Sequence, residues 1–109
     1  MNLPPAPFTV LDWTQAQITE HAGEGGKAVW STLVNAGIRT RIVTYSPGYL
    51  ADHWCSKGHV VYVLEGEFVS ELENGERHRI VQGQGYVVGD DVMPHRSYTE
   101  TGVTVLIVD

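Results

Sequence analysis

Apolar and polar positions alternate along much of the chain after residue 26. Ile38-Arg-Thr-Arg-Ile-Val-Thr-Tyr45 interleaves the two kinds, and Ala28 to Val34 is dense in β-branched and aromatic side chains. A period near two is the pattern of a strand, because successive side chains leave opposite faces of an extended backbone. His59-Val-Val-Tyr-Val-Leu64 is strongly β-forming, and further strands are expected at Glu67 to Glu73, Arg77 to Val81, Tyr86 to Val88, His95 to Thr99 and Val103 to Val108. Ser46-Pro47-Gly48, Glu65-Gly66 and Asn74-Gly75 separate them with turn chemistry. Asn-Gly suits the positive-φ positions of a tight hairpin, so Asn74-Gly75 is the expected tip of one. Eight or nine short strands, with 12 glycines available for the turns, predict an antiparallel sandwich or barrel.

The start of the chain reads differently. Pro4 to Pro7 suggests an irregular arm, Trp13 to His21 carries a weak helical pattern, and Gly23-Glu-Gly-Gly26 closes the stretch as a loop. The expected organisation is an arm over 1–23, with a short helix, and one domain over 24–109.

Composition narrows the function. The 109 residues fit one domain with a modest core. The formal charge is −6, and the seven basic residues form no stripe, which argues against a nucleic-acid partner and against anionic membranes. No apolar run is long enough to span a bilayer, and the N-terminus lacks the features of a signal peptide. The expected compartment is the cytoplasm. Cys55 is the single cysteine, so no internal disulfide forms.

Candidate chemistry lies in the histidines. His53, Cys55 and His59 fall within seven residues, and His95 lies two hairpins further on. On an extended backbone His53 and Cys55 leave the same face and Trp54 the other. A rolled sheet would bring His59 and His95 toward them from other strands. Imidazoles and a thiolate suit a divalent metal: zinc, iron, nickel or copper. His21 and His78 read as surface or packing residues. Asp52, Asp90 and Asp91 are candidates to hold the second ring nitrogen of a ligand histidine. Tyr62, Tyr86, Tyr98 and Trp54 are candidates to line a pocket, and Arg41 or Arg96 would hold a carboxylate if turned inward.

These residues sit in a known frame. Cupins carry His-x-His, then Glu after three or four residues, then Gly after six more. Here the frame is His53-x-Cys55, His59 and Gly66, and the second cupin motif is matched by Gly83-Gln-Gly-Tyr86 and Pro94-His95. The chain resembles the cupins over roughly 24–109. More narrowly, Gly48-Tyr-Leu-Ala-Asp-His-Trp-Cys-Ser-Lys-Gly-His59, together with Pro94-His-Arg-Ser97 through Val105-Leu-Ile-Val-Asp109, resembles the small DHCW-motif cupins. The resemblance implies an all-β double-stranded β-helix, or jelly-roll barrel, with a metal at His53, His59 and His95, and Cys55 as a further candidate ligand. It implies no particular reaction. The chain departs from the general cupin pattern in having Cys55 where His is usual and His59 where Glu is usual. Replacing Glu by His removes a negative charge from the ligand set, and a Cys55 thiolate would restore it and favour a softer metal.

Three functions are compatible with this reading. The first is a metal-binding cupin holding a small polar or carboxylated molecule in the barrel. The second is a metal-dependent oxygenase, isomerase or hydrolase. The third is a non-catalytic sensor, or a structural dimer stapled by its metal. A homodimer is expected in any case, because a small barrel has open strand edges and the arm offers Phe8, Val10, Leu11 and Trp13 to a partner.

Overall fold

The computed structural model describes residues 3–109. A single 3-10 turn at Trp13–Gln15 precedes eight strands: β1 (Gln17–Ala22), β2 (Lys27–Asn35), β3 (Ile38–Tyr45), β4 (His59–Leu72), β5 (Arg77–Val81), β6 (Gly85–Val88), β7 (His95–Tyr98) and β8 (Val103–Val108). All strand pairs are antiparallel, and they form two sheets that share β4. The first sheet runs β1-β2-β3-β8-β4-β6 and the second β5-β4-β7. This is the expected jelly roll.

The shared strand explains the architecture. The Glu65-Gly66 pair was expected to end one strand and begin another. Instead β4 continues for 14 residues, with a register shift between Val63 and Glu65. Gly66 has φ +83°, and a Cβ there would run into the backbone carbonyl of Gly102. The extra residue reverses which side chains point inward. Before the shift, odd-numbered Val61 and Val63 are buried; after it, even-numbered Phe68 and Ser70 are. One strand therefore crosses from the first sheet into the second while keeping its apolar side on the core.

The stretch from Trp13 to His21 is not the expected helix. Beyond the 3-10 turn it is strand β1, which pairs with β2 from Gln17↔Thr32 to Ala22↔Lys27. Its period is two: Thr19 and His21 turn toward the sheet face, where His21 stacks on Trp30 at 3.8 Å, and Ile18 faces out. Pairing satisfies backbone groups on β2 that a helix would leave without ladder partners.

The tip at Asn74-Gly75 is as expected. Gly75 donates to the carbonyl of Leu72 at 3.0 Å with φ +95°, and Asn74 Oδ1 accepts from the Glu76 amide at 2.9 Å.

The core contains Ala28, Val43, Val61, Val63, Phe68, Ile80, Val103, Val105 and Ile107. Odd-numbered positions of β3 and β8 supply much of it, and the same parity carries Arg39, Arg41 and Asp109 toward the interior at one end of the barrel. The connection between β3 and β4 closes that end. It runs beside β7, with Ala51 donating to Ser97 at 3.0 Å and Cys55 donating to His95 at 2.7 Å.

Candidate metal centre

Cys55 and His95 are brought together by the backbone. The Cys55 amide donates to the His95 carbonyl at 2.7 Å, and the His95 amide returns to the Cys55 carbonyl at 3.0 Å. Residues paired in this way project their side chains from the same face. His59, the first residue of β4, enters from the other sheet. One ligand atom from each of Cys55, His59 and His95 lies within 4.8 Å of the others.

The histidine tautomers follow from their outer partners. His95 Nδ1 lies 2.8 Å from the Met93 carbonyl oxygen, which only accepts, so Nδ1 carries the proton and donates. His59 Nδ1 lies 3.4 Å from Asp109 Oδ2. Burial pushes the Asp109 carboxyl up, but the hydrogen bonds from Arg39 and the charges of Arg41 and Arg39 outweigh it, and its pKa falls below the ordinary value. Asp109 is therefore an acceptor, and His59 Nδ1 also donates. Both Nε2 atoms are left with lone pairs, and they face each other at 2.8 Å. Two lone pairs that close repel unless a proton or a metal ion lies between them, and the Tyr86 hydroxyl, 3.1 Å from His59 Nε2, serves only that one ring. A proton serves one such pair; a metal serves both and Cys55 as well. Two nitrogens each about 2.0–2.1 Å from one tetrahedral ion stand about 3.3–3.4 Å apart, so the two rings would open by about half an ångström to receive it. The donor set fits a divalent metal.

The surroundings are consistent with thiolate character at Cys55. Hydrogen bonding with His95 lowers its pKa against the opposing effect of burial, and the same interaction raises that of His95. His59 is lowered, by burial first and then by the charge of His95. Tyr86 Oη lies 3.1 Å from His59 Nε2, and burial raises its pKa, which keeps it a neutral phenol.

The three groups line a cavity of about 220 Å³ between the sheets. Val61, Phe68, Val105 and Ile107 form apolar walls, and Arg39, Arg41 and Asp109 a charged end. The Asp109 side chain is 1% exposed and is held by Arg39 Nε at 2.8 Å and by Arg41 Nη2 at 3.1 Å. Arg41 lies over the Trp30 ring at 4.3 Å.

The remaining expected residues fall in different places. His53 borders the cavity, but its side chain is 77% exposed and its Nδ1 pairs with Asp52 Oδ1 at 2.6 Å, outside the group formed by Cys55, His59 and His95. Asp52 therefore serves His53, and Asp90 accepts from the Gly58 amide at 2.6 Å. The carboxylate beside His59 is Asp109, which the sequence reading did not single out. Its signal was the parity of Val103, Val105 and Ile107, continued by one step past the strand. Of the aromatic candidates, Tyr86 lines the cavity; Tyr62 and Trp54 are exposed, with Arg96 lying over the Trp54 ring at 4.6 Å. Arg96 pairs with Glu71, so Arg41 is the arginine of the two that turns inward.

No family model and no curated protein matches the chain. Solved structures do. The Fe(II) form of HppE matches with a TM-score of 0.77 at 15% identity, over 98% of this chain and 62% of that one, so this chain spans about three-fifths of the length of HppE. The polyketide cyclase RemF from Streptomyces resistomycificus matches with a TM-score of 0.73 at 18% identity, over 94% of this chain and 78% of the other. An RmlC-like cupin from Shewanella frigidimarina matches with a TM-score of 0.69 at 20% identity, over 94% and 90%. The fold is the cupin fold.

Proposed function

We propose that this chain is a metal-binding cupin in which Cys55, His59 and His95 hold one divalent ion and the adjoining cavity presents a small polar molecule to it. The observation that carries the reading is the pair of Nε2 atoms at 2.8 Å beside Cys55, each ring held by an outer partner on its other nitrogen. Such outer partners orient ligand imidazoles and raise their basicity. One thiolate and two imidazoles suit zinc best, with iron and nickel as the competing occupants. His53 is assigned to the cavity mouth rather than to the ion. The fold-level likeness to HppE, whose structure is of an Fe(II) form, and to the cyclase RemF supports a cavity that handles small molecules.

Three protein ligands beside a cavity leave a coordination position for water or a ligand. That favours ligand binding or metal-dependent catalysis over a closed structural site. When bound, the metal would supply Lewis acidity. Oxygenase, isomerase and hydrolase chemistry all remain compatible with this arrangement.

The sequence from Gly48 to His59 supports a place among the DHCW-motif cupins. We further propose a cytoplasmic homodimer. A reducing compartment keeps the Cys55 thiol free to bind metal. Among the described residues no helix is long and apolar enough to cross a membrane. Phe8 is 98% exposed and Val10 76%, and a partner subunit would cover them.

Elemental analysis of the protein purified without added metal tests the reading. One transition-metal ion per chain is expected, and none in a His59→Ala/His95→Ala variant that retains its β-sheet circular dichroism. Full-length protein that takes up no zinc, iron or nickel would overturn it.

A further inference from the structure

The charged end of the cavity is rich in cationic side chains. Two guanidinium groups, Arg39 and Arg41, meet one side-chain carboxylate, Asp109. A divalent ion on Cys55, His59 and His95 would add two positive charges against one thiolate. The side chains then leave net positive charge in an interior walled by Val61, Phe68, Val105 and Ile107. Arg41 is the more telling member of the pair. It is 5% exposed, it lines the cavity, and its Nε meets no acceptor among the described residues. A buried N–H without a partner is costly and uncommon in folded proteins. The acceptor that Arg41 does have, Asp109 Oδ2, is the atom facing His59 Nδ1, so one carboxylate oxygen separates the guanidinium from a metal-ligating imidazole.

We infer that Arg41 is the anion-recognising residue of this cavity and that the ligand is a small carboxylic acid with an apolar body, its carboxylate received by the Arg41 guanidinium. The inference rests on the metal-cavity reading for the location of the ligand and goes beyond it in naming the ligand class and the residue that selects it. A carboxylate matches the planar fork of a guanidinium, whose side chain borders the cavity. The apolar walls favour an acid carrying carbon over an inorganic oxyanion. The cavity volume, about 220 Å³, is below the range of drug-sized sites and restricts the acid to a small one.

The test is calorimetric titration of the full chain, metal-free and zinc-loaded, with butyrate, with its uncharged counterpart butyramide, and with inorganic phosphate. Saturable butyrate binding to the metal-free protein is expected, at least tenfold tighter than butyramide or phosphate. Arg41→Lys, which keeps the charge and removes the planar guanidinium fork, should weaken butyrate at least tenfold. Because that variant disturbs a buried pair and can misfold, the comparison of butyrate with butyramide on wild-type protein decides the matter without it. Butyramide binding as tightly as butyrate overturns the inference, as does phosphate binding more tightly than butyrate. Butyrate binding that requires zinc and is unchanged in a folded Arg41→Lys protein also overturns it, because the metal would then be the anion's partner. Failure of the two readings is separable. Butyrate bound through Arg41 by a protein that takes up no zinc defeats the metal reading alone; zinc bound by a protein that ignores butyrate in both states defeats this inference alone.

Discussion

His59 and His95 point their Nε2 atoms at each other across 2.8 Å, although they begin strands that lie in different sheets of the barrel. The contact is satisfied by a proton on one ring or by a metal on both, and it depends on partners behind each ring: Met93 behind His95 and Asp109 behind His59. The outer partners are therefore as testable as the ligands.

Asp109 has two roles, so its replacement should have two effects. In Asp109→Asn the His59 ring loses a charged acceptor, and zinc affinity should fall by about 10–100-fold. The same change leaves Arg41 buried without its counter-charge and should destabilise the metal-free fold by about 3 kcal/mol. Zinc competition with a chelator and urea unfolding measure the two. A variant unchanged in both would remove Asp109 from the account.

The Asp109 carboxyl has a lowered pKa in the fold. Below its unfolded value of 3.8, the unfolded chain therefore binds more protons than the folded one, and stability falls as pH falls. Its contribution is fully present above that value and disappears as pH drops through the lower folded pKa. Urea midpoints of metal-free protein across the acid range should show this loss, with a shallower slope in Asp109→Asn. Equal slopes would mean that the carboxyl titrates alike in both states.

Cys55 and His53 should separate cleanly. If the thiolate is a ligand, Cys55→Ser weakens zinc at least tenfold, because a serine hydroxyl is a poor ligand at neutral pH. His53→Ala should leave zinc affinity within about twofold, since its ring is exposed and paired with Asp52. Parallel zinc titrations of both variants check this, and the reverse ranking would return His53 to the metal.

Gly66 lets β4 pass from one sheet to the other. In Gly66→Ala the positive φ costs about 1–2 kcal/mol, and the new Cβ meets the Gly102 carbonyl. Total destabilisation of at least about 2 kcal/mol is expected from urea unfolding. A change below 0.5 kcal/mol, of the kind seen at ordinary surface sites, would show that the crossing tolerates a side chain.

The exposed arm predicts association. Light scattering of wild-type protein should give a mass near twice 12.0 kDa, and Phe8→Asp/Val10→Asp should return it to the monomer. A wild-type monomer at micromolar concentration would leave the arm without a partner of its own kind.

Most of the fold was legible because burial on one face writes a period of two into the chain. Strands β3, β5 and β8 begin and end where the alternation does. The continuity of β4 was not legible. Glu65-Gly66 reads as a turn, and only the partner backbone at Gly102 shows that the glycine serves a crossing. Strand β1 was obscured because it lies at a sheet edge, where a mostly polar sequence carries little strand signal. The site was partly legible. Cys55, His59 and His95 stood out by type and spacing, whereas Asp109 and the inward turn of Arg41 depend on register across β3 and β8, which no local pattern records. His53 shared the motif with Cys55, but the connection between β3 and β4 is not a regular strand there, and parity lost its force.

The most direct measurement is a cobalt(II) titration of the metal-free protein followed by absorption spectroscopy. The account predicts saturation at one equivalent per chain, with an intense thiolate-to-metal charge-transfer band and ligand-field bands of a four-coordinate site. The charge-transfer band should vanish in Cys55→Ser, and His95→Ala should no longer saturate. Absence of saturable binding, or a wild-type spectrum unchanged by the loss of Cys55, would contradict it.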